Sequence, residues 1–171
     1  DRGWSGINID LDFHTIDLFN YIRKRDENIN IAISDEEGEF DLYYFHNRSA
    51  LNSLDVNRKK NAKEIKKVKT KTLNSIIENS KFQKDKINLL SIDVEGHELE
   101  VIKSIDLIKY SPEIILIEFM EKKLNEIKFY KQNINSIIDS DLYKYMIKNN
   151  YYFVNWVNND LVFAHTDIRN K

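Results

Sequence analysis

Two carboxylates, Asp93 and Glu95, stand two residues apart at the end of an apolar run and just before Gly96 and His97. Leu89-Leu90-Ser91-Ile92 reads as a buried strand, and Leu99, Val101, Ile102 and Ile105 beyond the glycine fall at helical spacing. α/β proteins gather ligands and chemistry where strands close at their carboxyl ends. If both acids stay extended, their side chains project to one side, and Gly96 lets the backbone turn sharply beyond them. Such acids can take a proton from a hydroxyl or bind a divalent cation through hard oxygens. A lone pair does not define a metal site, and none is assigned. His97, at the helix entrance, is a second candidate base. The plainer readings make Asp93 a structural acceptor of backbone N–H bonds near a helix start and His97 a solvated surface residue. Glu98 and Glu100 read simply as complements to the positive end of the helix.

The elements that must hold these residues follow from periodicity. Gly6–Asp10, Asn28–Ser34, Phe40–Phe45, Val68–Thr72, Ile87–Asp93 and Glu113–Phe119 read as strands. The last is a continuous apolar run, as in a strand covered on both faces. Thr15–Lys24, Leu73–Asn79, Glu98–Ile105, Leu124–Tyr130 and Ile134–Asn149 carry helical patterns, and 47–61 reads as loop. Tyr151–Val157 and Leu161–His165 flank Asn158-Asn159-Asp160, a hairpin signature. The alternation implies one α/β domain over residues 1–171, with a mainly parallel sheet, helices on both faces and an antiparallel pair at the end.

Composition narrows the chemistry. The 171 residues suit one sizeable core, and 42% are hydrophobic and 32% charged. With no cysteine, thiolate chemistry and cysteine-ligated zinc are excluded. A net charge of −2 favours neither nucleic acid nor an acidic partner. The basic run Arg58–Lys71 lacks interleaved aromatics for base stacking, so nucleic acid is not an expected partner and a solvated face is. A phosphate-bearing acceptor suits these lysines better. His14, His46 and His165 have no clustered partners in the sequence. No apolar run is long enough to span a bilayer and no signal peptide opens the chain, so a soluble cytoplasmic protein is the expectation.

The chain resembles the FkbM family of S-adenosylmethionine-dependent methyltransferases. The resemblance rests on DRGWSGINID (Asp1–Asp10), NIAISDEEGE (Asn30–Glu39), VKTKTLNSII (Val68–Ile77), LLSIDVEGHELEVIKSID (Leu89–Asp106) and PEIILIEF (Pro112–Phe119), in that order. It implies a Rossmann-like class I methyltransferase fold, S-adenosylmethionine as cofactor, and O-methylation of a hydroxyl on a sugar, glycan or secondary metabolite. It further implies that Asp10 accepts hydrogen bonds from the ribose hydroxyls and that Ile31 and Ala32 bracket the adenine. Asp93 and Glu95 fall on the acids beside the reacting methyl group, which puts Asp93 within reach of the cofactor as well as the acceptor. The family's first strand and Gly-rich loop have no counterpart among Gly3, Gly6, Gly38 and Gly96. That strand would sit between Gly6–Asp10 and Ile87–Asp93, and its omission leaves a gap of about 10 Å. The expectation is therefore an N-terminally incomplete domain of a longer protein. The alternative is a degenerate, non-catalytic domain that serves as a binding or interaction module.

Overall fold

In the computed structural model, residues 3–46, 52–119 and 133–168 are described. They build a mixed α/β structure whose strands pair in three sheets and whose contacts gather into two compact units. The predicted helix over 124–130 lies outside the described residues.

The first unit comprises residues 1–85 and 100–105. Its strand β1 (Ile7–Asp10) pairs in parallel with β2 (Glu27–Asn30). Helix α1 (Phe13–Ile22) joins them and starts where the Asp12 carboxylate accepts from the His14 N–H at 3.1 Å. A polar network ties the three elements together. Asp26 accepts from Asn8 Nδ2 at 2.9 Å and from Arg23 Nε at 2.7 Å. Burial alone would raise the Asp26 carboxyl, but the Arg23 and Asn8 hydrogen bonds outweigh it and hold the group below its usual range. The second predicted strand is broken. Asn30 and Ile31 bond back to the end of β1, and β3 (Ala32–Ile33) begins a separate sheet.

That sheet has the order β3-β5-β4. Strand β4 (Gly38–Tyr44) runs antiparallel to β5 (Glu64–Lys71), whereas β3 runs parallel to it. The basic run thus holds a central strand. Register sets Lys67 against Asp41 and Lys69 against Glu39, and Lys67 Nζ lies 2.6 Å from Asp41 Oδ1. Opposite charges across a ladder make these lysines a solvated cross-strand face. Residues Val56–Asn61, read as loop from sequence, form a 3₁₀ helix. Helix α2 (Leu73–Glu78) is capped by Thr72, and the buried Ser104 hydroxyl accepts from the Leu73 N–H at 3.0 Å.

Helix α3 (Glu98–Lys103) begins among residues of the second unit, which comprises 86–99 and 106–171. There β6 (Leu89–Ile92) pairs in parallel with β7 (Ile114–Glu118), and Asp106 caps the short helix α4 (Leu107–Tyr110) between them. The predicted helix over 134–149 is two, α5 (Ile134–Ile138) and α6 (Asp141–Lys148), because the Ser140 hydroxyl accepts from the Tyr143 N–H and starts a new helix. Strands β8 (Tyr151–Val157) and β9 (Asp160–His165) form the hairpin, turned at Asn158 with φ 55°. The sheet order is β6-β7-β9-β8, with β9 antiparallel to both neighbours.

Ile115 and Ile117 of β7 are fully buried with Leu161 and Phe163 of β9. The intervening Ile114, Leu116 and Glu118 are only half-buried, so β7 shows one closed face rather than the two its apolar run predicts. Among the described residues, parallel pairs (β1–β2, β3–β5, β6–β7) are no more numerous than antiparallel ones (β4–β5, β7–β9, β8–β9). The prediction of a mainly parallel sheet therefore exceeds the pairing seen. No helix of the described residues is long and apolar enough to cross a membrane.

The buried Tyr151 hydroxyl donates to the Pro112 carbonyl at 2.8 Å, fastening the hairpin to the approach to β7. Tyr151→Phe strands that carbonyl and is expected to cost about 1–2 kcal/mol in urea unfolding, with the m value unchanged. Equal midpoints for the two proteins would show that the bond contributes nothing.

Candidate functional site

The geometry of the second unit centres on the carboxyl ends of β6 and β7. Parallel register pairs Ile92 with Ile117, so one step further Asp93 comes beside Glu118. Asp93, Glu95 and Glu118 each offer a carboxylate oxygen, and the three lie within 4.8 Å of one another. Asp93 is exposed; Glu95 and Glu118 are half-buried.

The convergence of Asp93 and Glu95 is not the strand alternation predicted from their spacing. The strand stops at Ile92, and Glu95 takes φ 58°, a left-handed conformation. Gly96 follows at φ 101°, where a side chain would be strained. The acids therefore meet through a turn, with Asp93 at the strand end and Glu95 folded back.

Glu98 holds that turn. Its side chain is buried, and one oxygen, Oε1, accepts from the Gly96 N–H at 2.9 Å and the Val94 N–H at 3.2 Å. Burial pushes the Glu98 carboxyl up, against the pull of the Gly96 N–H. The structural task considered for Asp93, accepting backbone N–H groups before the helix, thus belongs to Glu98.

Glu118 is the member that sequence reasoning missed. Its Oε2 atom is buried without a hydrogen-bond partner among the described residues. Burial first, and then the charges of Asp93, Glu95 and Glu98, push its carboxyl up to about 7. A signal was available, since EIILIEF closes on an acid as LLSID does, and adjacent parallel strands bring such ends together. His97 is half-buried at the entrance of α3. The set can share a proton near neutrality, and with three carboxylates it reaches the oxygen donors that a hard divalent cation uses.

The first unit holds the other candidates. Asp10 ends β1 half-buried, and its Oδ1 accepts from the Asp12 N–H at 2.7 Å. Burial raises its carboxyl while that N–H lowers it, and the Thr15 hydroxyl is also close. The Ile31 N–H donates to the Asp10 carbonyl at 3.2 Å, so these two residues share one strand end. Ala32, 6% exposed, lies inside β3 and offers little surface. Asp10, Ile31 and Ala32 are thus brought close within one unit, and Asp93, Glu95 and His97 within the other.

Residues 1–146 match the family model described as the methyltransferase FkbM domain. No curated protein and no solved structure gives a significant match to the chain.

Proposed function

Because the chain belongs to the FkbM methyltransferase family, we propose that it transfers a methyl group from S-adenosylmethionine to a hydroxyl of a sugar, glycan or secondary metabolite. In this reading it acts as one Rossmann-like domain. The observation that carries the proposal is the carboxylate set at the ends of β6 and β7. Converting a hydroxyl into a nucleophile requires an acceptor for its proton, placed where the oxygen is held. Asp93, exposed at the strand end, is that acceptor. Glu95 and the partly protonated Glu118 set the local charge, and His97 flanks them at the helix entrance.

Asp10 fits a ribose diol. The Asp12 N–H fixes one of its oxygens, and a carboxylate has about four lone-pair positions to offer. Ile31, half-buried and tied to the Asp10 carbonyl through its N–H, is the apolar residue at that strand end, and Ala32 follows it buried in β3. Bound S-adenosylmethionine supplies an electrophilic methyl group on a sulfonium. The residues of this chain orient the acceptor and remove its proton.

The test is calorimetric titration of the natural full-length polypeptide with S-adenosylhomocysteine. Saturable binding is expected, and no binding heat would overturn the reading. Asp10→Ala is expected to weaken that binding by about 1–3 kcal/mol, roughly 5- to 150-fold in Kd, as a charged acceptor is lost from a diol. An unchanged Kd would remove Asp10 from the site.

A further inference from the structure

We propose that Glu98 is a positioning residue for the carboxylate set, through its grip on the 93–97 turn. This deepens the methyl-transfer reading and rests on it. A non-glycine residue at φ 58° followed by glycine at φ 101° is a backbone that L residues avoid, and it persists only where neighbouring contacts hold it. Glu98 provides those contacts, since its Oε1 takes both the Val94 and the Gly96 N–H groups. These two amides bracket Glu95 on either side. With them fixed, Glu95 folds back so that its carboxylate lies with those of Asp93 and Glu118. Freed, the turn can relax toward extended backbone and carry Glu95 away. Burial of the Glu98 side chain keeps water from replacing it as the acceptor.

The contact uses one oxygen of the carboxylate. An amide carbonyl has two lone pairs and can accept the same two N–H groups. Glu98→Gln is therefore expected to preserve the turn, and Glu98→Ala to release it. Charge complementarity to a helix end, the simple electrostatic role, makes the opposite prediction, because glutamine lacks the charge.

Two readouts test the proposal in the natural full-length polypeptide. The first is amide hydrogen exchange at Val94 and Gly96 by NMR, which needs no activity. Glu98→Ala is expected to speed both by about tenfold or more, with Glu98→Gln close to wild type. The second is steady-state methyl transfer. Glu98→Ala is expected to lower kcat by about 10- to 100-fold, the scale of a misplacement of about 1 Å, and Glu98→Gln to recover most of it. In an Asp93→Asn background, Glu98→Ala should lower kcat little further, because both changes act on one unit.

Slow exchange retained in Glu98→Ala would overturn the grip. Fast exchange with wild-type kcat would overturn its role in positioning, as would Glu98→Gln being as impaired as Glu98→Ala. The exchange contrast between the variants, with no methyl transfer by the wild type, would overturn the transfer reading on which the proposal rests.

Discussion

Asp93→Asn is expected to lower kcat for methyl transfer by about 10²- to 10⁴-fold, the range for losing a positioned base. Asparagine keeps the shape and one acceptor oxygen of aspartate but cannot take a proton. Neighbours of Asp93 should therefore stay in place, and the loss should fall on kcat more than on KM. The acceptor for the assay can be found by following a labelled methyl group from S-adenosylmethionine onto a panel of sugars and glycans. Asp93 is the exposed member of a set whose other two carboxylates are half-buried, so it is the one an incoming hydroxyl reaches first. A residual kcat within about threefold of wild type would shift the base to Glu95, Glu118 or His97. Asp93→Ala separates the two duties of the residue, because it removes the shape as well as the charge.

The position of this site was legible in the sequence, but its internal geometry was not. Leu89–Ile92 announced a strand through apolar continuity, and Gly96 announced the turn; both are present. The pleat rule then predicted that Asp93 and Glu95 would project together, and they do converge, by another route. The strand ends one residue before Asp93, and the left-handed Glu95 supplies the convergence. Residue spacing cannot reveal this, because what selects the φ of Glu95 is a buried acceptor three residues later. Glu98 was legible only as a charge at a helix start, since burial does not show in residue type.

Glu118 was hidden for a related reason. It lies 25 residues from Asp93 in sequence, and only the register of β6 against β7 makes them neighbours. Local signals fared better where the backbone decides alone. Asn158-Asn159 between two β-rich runs gave the hairpin. The break at Ile31 could not be read, because isoleucine alternates without interruption through NINIAIS and the switch of sheets depends on what each half pairs with. The family match over residues 1–146 adds what periodicity lacks, a methyltransferase family for the chain.

Glu118→Gln should separate stability from activity. The Glu118 carboxyl moves from 4.5 to about 7 on folding, through burial and then the charges of Asp93, Glu95 and Glu98. The folded state therefore holds this proton more tightly than the unfolded chain does. The resulting stabilisation is complete below about pH 4.5 and is lost as pH rises through about 7. At 1.36 kcal/mol per unit, reduced for the solvent screening of a half-buried group, the loss by pH 8 is about 1–2 kcal/mol. Glutamine carries no charge at any of these pH values, so Glu118→Gln should melt above wild type at pH 8 by about 2–8 °C and match it near pH 5. The same substitution removes a proton-sharing partner from Asp93 and is expected to lower kcat by about 10²-fold. A protein made more stable and less active by one isosteric change is the signature of a carboxylate held against its preference for function. Thermal unfolding at pH 5, 6.5 and 8, with kcat measured alongside, decides the matter. Melting curves that stay parallel across this range would mean that Glu118 is already paired or solvated, and the charge crowding at the ends of β6 and β7 would then have no energetic consequence.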